Sequence, residues 1–132
     1  MTENLMPVTM IAAGILGLVY FVLSANVVAA RVRTKTMLGD GGDARMEVAI
    51  RAHGNFMEYV PLLLMLIGAL EFTGGPHWLV LGLAVVLVVA RVMHPFGLLR
   101  PAPNVMRAGG ALLTFSVLLV ASVALLVRML AY

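Results

Sequence analysis

Of 132 residues, 62% are hydrophobic and 11% charged, with a mean hydropathy of +1.05, a balance that excludes a soluble domain of this size and indicates an integral membrane protein. Nine Lys and Arg exceed six Asp and Glu, but the cations border apolar runs and form no soluble basic face, so nucleic acid is not an expected partner. The lack of cysteine excludes disulfides, a thiol nucleophile of the chain's own and thiolate-based metal or iron–sulfur centres.

A spanning helix needs about 20 residues, so four spans and their connections fill a single domain, 1–132, with an all-α four-helix membrane fold. Residues 1–6 carry Glu3 and no Lys or Arg, and the apolar run after them is longer than a signal-peptide core, which predicts a retained first helix over about 7–31. Gly14 and Gly17 permit close helix approach, Ser24 and Asn26 are expected to face protein, and Arg31, Arg33 and Lys35 stop the span. The turn-rich run 39–43 lacks the ligand spacing and closing Glu of a calcium loop. Asp43 is placed instead to cap a second helix beginning at Ala44.

That second helix, about 44–72, carries the most informative residues. Arg51, Asn55 and Glu58 recur at i, i+4 and i+7, so they share one face over two turns, with Glu47 on the same side. Pro61 lacks an amide hydrogen and crowds the Met57 carbonyl, which predicts a kink just after this polar stripe. Residues 71–76 form a turn, and Trp78 reads as an interfacial anchor at the start of a third helix over about 77–95. Pro95 is expected to end or bend that helix beside Arg91 and His94. Asn104 then caps a fourth helix, about 104–130, with Arg107 in its first turn.

Arg31, Arg33, Lys35, Arg45, Arg51, Arg91, Arg100 and Arg107 fall on one side of this four-span reading and Arg128 on the other. The positive-inside rule makes the crowded side cytoplasmic and places both termini outside. Arg51, Arg91 and Arg107 come from three helices at similar depth, with Asn55, Glu58 and His94 alongside. Residue types alone admit two readings. In one, Arg51 pairs with Glu58 or Glu47 while Arg91 and Arg107 snorkel to lipid phosphates. In the other, an anionic ligand enters from the cytoplasm, its carboxylates meeting arginines and an amine meeting Glu58.

The run Arg51-Ala52-His53-Gly54-Asn55 continuing to Glu58-Tyr59-Val60-Pro61, the helix-three segment Arg91-Val92-Met93-His94, and Arg107 sixteen residues past Arg91 resemble the MAPEG family, membrane-associated proteins in eicosanoid and glutathione metabolism. The loop glycines and Ala49-Ile50-Arg51 are similar to small bacterial inner-membrane members. The resemblance implies a four-helix protomer in a homotrimer, embedded in membrane lipid. It implies glutathione as cosubstrate, bound between protomers by Arg51, Asn55, Glu58, Tyr59, Arg91, His94 and Arg107, with Arg31 or Arg33 at the edge. It also implies a transferase or peroxidase in which Arg107 is the catalytic residue. That guanidinium would favour the thiolate of a thiol whose ordinary pKa is about 8.5, for attack on an apolar electrophile arriving from the bilayer.

Three positions depart from the pattern: Leu98 stands where several eicosanoid-type members carry tyrosine, Gly54 where some enzymes carry arginine, and Ala108 where serine can follow the arginine. They favour the competing reading of a non-catalytic lipid-binding or scaffold protein on the same fold. A small multidrug transporter is disfavoured because the first helix has no carboxylate, and a haem anchor would require His53 and His94 to ligate together.

Overall fold

The computed structural model describes residues 5–131, so Glu3 lies outside the described residues. Four helices follow in order: α1 (Pro7–Thr34), α2 (Ala44–Phe72), α3 (His77–Leu98) and α4 (Val105–Leu130), each long and apolar enough to cross a membrane. Even α3, with 22 residues, rises about 33 Å, enough for a hydrocarbon core of about 30 Å. Among the described residues there is no strand. This meets the rule that backbone polar groups in lipid must be bonded within the segment.

Pairing of the helices places α2 and α3 together at the centre. The first helix packs on both and the fourth packs on both, while α1 and α4 do not meet. Leu16 and Leu23 of α1, Phe56, Leu63 and Ile67 of α2, Leu87 of α3 and Val117 of α4 form the buried core. Long apolar side chains such as Leu18, Phe21, Leu119 and Leu126 point outward, as lipid-facing surfaces require, and Trp78 is exposed at the start of α3.

Two caps lie where their residue types place them: the Asp43 carboxylate accepts from the Met46 amide at 2.8 Å, and the Asn104 side chain accepts from the Arg107 amide at 2.9 Å. Two helix ends differ from expectation. α1 continues through Arg31 and Arg33 to Thr34, closing on Lys35 in the left-handed conformation with its amide bonded to the Arg31 carbonyl. α3 runs through Pro95 to Leu98. The proline removes one backbone bond, but the residue that caps α4 supports the last turn: the Asn104 side-chain Nδ2 donates to the Gly97 carbonyl at 2.8 Å. α2 is likewise unbroken across Pro61.

The start of α1 has no side-chain cap of its own, and Glu71 at the end of α2 supplies one. Its carboxylate accepts from the Val8 amide at 3.0 Å, the Thr9 amide at 2.8 Å and the Thr9 hydroxyl at 2.6 Å. At the same end, the Arg128 guanidinium donates to the Thr73 carbonyl through both Nε and a terminal nitrogen. Glu71→Ala removes a charged acceptor from three donors, so we expect about 2 kcal/mol of destabilisation, measured by reversible unfolding in micelles. A change below about 0.5 kcal/mol would show that this cap contributes little.

Candidate functional site

At the opposite, arginine-rich end, α2, α3 and α4 surround a cleft of about 290 Å³. Ile50, Arg51, Gly54, Asn55 and Glu58 form the α2 wall, His94 and Leu98 the α3 wall, and Arg107 the α4 wall. The α2 wall is the stripe set by the i, i+4, i+7 spacing. Arg107 reaches the cleft because Gly97 lets the first turn of α4 lie against α3: a Cβ at Gly97 would stand 2.6 Å from the Arg107 Cα. Gly110 allows the next approach, where a Cβ would stand 3.1 Å from both the Ala90 carbonyl oxygen and the His94 Cβ.

Arg91 is the polar centre of this end. It is 2% exposed, and its guanidinium donates to the Asn55 Oδ1 at 2.8 Å, the Thr114 Oγ1 at 2.5 Å and the Gly110 carbonyl at 3.4 Å. The Thr114 hydroxyl in turn donates to the Gly110 carbonyl at 2.7 Å. No carboxylate answers Arg91; the ion pair found among the described residues is Arg33 with Asp43 at 3.0 Å, outside the cleft.

Five of the seven site residues named from the sequence therefore share one cleft: Arg51, Asn55, Glu58, His94 and Arg107. Arg91 stands behind Asn55 and does not line the cleft. Tyr59 lies on the α2–α4 seam, its ring edge-on to Phe115 with centroids 5.6 Å apart. The reading in which Arg51 pairs with Glu58 or Glu47 is not realised within the chain, since among the described residues neither acid forms an ion pair with it. The Arg31 guanidinium donates to the Thr36, Met37 and Gly39 carbonyls, so it braces the loop after α1.

His53 stacks on Tyr20 of α1 with centroids 5.1 Å apart, facing away from the cleft that His94 lines, so the two histidines share no cavity. Thr114 and Gly110 were missed. Their signal was present: Arg107, Gly110 and Thr114 fall at i, i+3 and i+7 and so share a face of α4.

The MAPEG family model matches residues 9–127. The chain belongs to this family. Two curated relatives, each named inner membrane protein YecN, from Escherichia coli strains K12 and O6:H1, are 38% identical over 74 residues, covering 56% of this chain and 56% of each relative. The chain thus spans about half the length of the curated relatives it matches. No solved structure matches. The cleft on this family member combines two guanidinium groups, one carboxylate, an amide, an imidazole and the apolar Ile50 and Leu98.

The α3–α4 joint sets where Arg107 sits. Gly97→Ala forces a methyl into the α4 backbone, and a loss of about 1–3 kcal/mol is expected, read by thermal unfolding in detergent. An unchanged melting temperature would mean that the joint is looser than the contact at Gly97 implies.

Proposed function

We propose that this protein binds glutathione in the α2–α3–α4 cleft and uses it as cosubstrate for a transferase or peroxidase reaction on apolar electrophiles or lipid hydroperoxides at the bilayer. The observation that carries this reading is the gathering of Arg51, Glu58, Asn55, His94 and Arg107 around one cleft, with the arginines unpaired by protein acids among the described residues. A purely cationic wall suits phosphate. A wall with two guanidinium groups and one carboxylate suits a ligand carrying carboxylates and an ammonium, as glutathione does. Family membership supports the same ligand.

In this reading Arg107 favours the thiolate by charge and, because an arginine keeps its proton, takes no part in proton transfer. The cleft of about 290 Å³ is at the lower limit of small-molecule sites, about 300–1,000 Å³, and its Arg51, Glu58 and Arg107 side is exposed. We therefore place a second wall on a neighbouring copy in a homotrimer. A separate, mainly apolar cleft of about 520 Å³ on the α1–α2 side carries Asn26, Arg33 and Arg45 among its lining residues. The positive-inside count orients the ligand cleft to the cytoplasm, with both termini outside, in a bacterial inner membrane as the name of the YecN relatives indicates.

Leu98 lines the cleft and favours a second reading, a non-catalytic lipid-binding or scaffold member of the fold, because it offers no hydroxyl to a reacting group. Thiol ionisation separates the two. In nanodiscs at millimolar glutathione, ultraviolet difference absorption is expected to show thiolate forming below its usual pKa of about 8.5. Arg107→Ala is expected to return that pKa toward 8.5 and weaken binding about tenfold, with the fold intact. Absence of glutathione binding by the folded protein would sink the first reading, and binding without thiolate would leave the second.

A further inference from the structure

The cleft reaches its ligand through an amide whose orientation is set from behind. Asn55 has one acceptor and one donor end, Oδ1 and Nδ2. The atom that meets Arg91 has to be the acceptor, because a guanidinium only donates. The contact of 2.8 Å thus fixes Oδ1 toward α3 and leaves both N–H bonds of Nδ2 on the other side, in the cleft that Asn55 lines. Among the described residues Nδ2 makes no hydrogen bond, not even to Glu58 one turn further along α2.

Arg91 is itself held in one orientation. The Thr114 hydroxyl spends its proton on the Gly110 carbonyl at 2.7 Å, which leaves a lone pair to accept from Arg91 at 2.5 Å. The Gly110 carbonyl accepts from the same terminal nitrogen at 3.4 Å. The Arg91 Nε has no partner, and the side chain is 2% exposed. A buried guanidinium that leaves one N–H unpaired, and meets no carboxylate, is a costly element. Such an element persists where its other bonds do something that an apolar side chain does not.

We infer that Arg91 is a positioning residue that locks the Asn55 amide with its N–H groups facing the cleft, so that this point of the site selects an acceptor oxygen of the ligand, a carboxylate or a peptide carbonyl. The inference rests on the proposed glutathione reading for the identity of the ligand, and on the Arg91–Asn55–Thr114 geometry for the lock. It removes Arg91 from the residues that touch ligand and gives Asn55 a defined polarity. It also explains why Arg91 is an arginine: only a planar donor group reaches Asn55 on α2 and Thr114 on α4 from α3 at once.

The test uses the full chain in nanodiscs with asparagine nitrogen labelled. The four asparagines, at 4, 26, 55 and 104, give four side-chain amide signals, and Asn55→Asp assigns one by its disappearance. Without ligand, the Asn55 amide is expected to be rigid in the wild type and mobile in Arg91→Met. Arg91→Lys, which keeps the charge but not the two-sided fork, is expected to fall between them, and it serves alone if the methionine variant fails to fold. On glutathione titration the wild-type Asn55 signals shift, and calorimetric affinity falls about tenfold in Arg91→Met and severalfold in Arg91→Lys. An Asn55 amide equally rigid in a folded Arg91 variant overturns the lock. Glutathione heat without any Asn55 shift overturns the selection of an acceptor at that point. A wild type that binds no glutathione defeats the proposed function and the acceptor assignment with it, while the ligand-free mobility still decides the lock.

Discussion

Arg91 lies about 10 Å along the α3 backbone from that helix's end, its guanidinium closed in by α2 and α4, and each acceptor it meets is neutral. Leucine contacts between membrane helices do little to fix register, because lipid tails are as apolar as leucine. A buried charge is different. On insertion scales it costs about 2.5–3.5 kcal/mol at the bilayer centre, and its bonds to protein offset that only when Asn55, Gly110 and Thr114 are all in place. Sliding α2 or α4 by one turn would withdraw an acceptor. The lack of side chains at Gly97 and Gly110 is part of the same constraint, since it lets α4 come close enough to α3 to present Thr114.

The two ends of the bundle use polar groups in opposite ways. At the Glu71 end, the carboxylate is taken up by the start of α1 and Arg128 by the Thr73 carbonyl. These groups fasten α1 to α2 and the end of α4 to the α2–α3 turn. At the arginine-rich end, Arg51, Glu58 and Arg107 border a cleft and form no ion pair with one another among the described residues. Polar side chains left unpaired near the end of a membrane bundle are available to ligands in a way that the Glu71 and Arg128 pairs are not.

How much of this was legible follows from the distance over which each interaction acts. Asp43 and Asn104 were readable as caps because a cap bonds an amide three residues away. The shared face of Arg51, Asn55 and Glu58 followed from helical spacing, whereas their meeting with Arg107 and His94 was one of two readings that depth left open, and the family resemblance favoured it. Glu71 and Arg128 act across 62 and 55 residues, and nothing in their neighbourhoods marks the partner. Pro95 is a related case: its local effect is to end or bend a helix, and whether the helix ends there depends on Asn104 and the first turn of α4, which support α3 to Leu98. For Arg91 the sequence placed a cation near the site as a ligand contact or a snorkelling side chain, but not its burial or the way it points, because those depend on the packing of α4.

The placement of Arg107 constrains what chemistry the cleft is able to do. It stands in the first turn of α4, where the positive helix end disfavours a cation by about 0.3–1 kcal/mol at an exposed site, and Arg51 lines the same cleft. This crowding exists before any ligand arrives, so an entering anion is favoured by relief of like-charge repulsion as well as by direct attraction. Neither arginine is able to receive a proton. If the cleft holds glutathione, water entering on the exposed side is the route open to the proton lost on thiolate formation. With Leu98 on the wall in place of a hydroxyl, a thiolate held there would be stabilised by the charge of the cleft arginines. Such a site would be better fitted to lower the cost of making a nucleophile than to donate a proton to a leaving group.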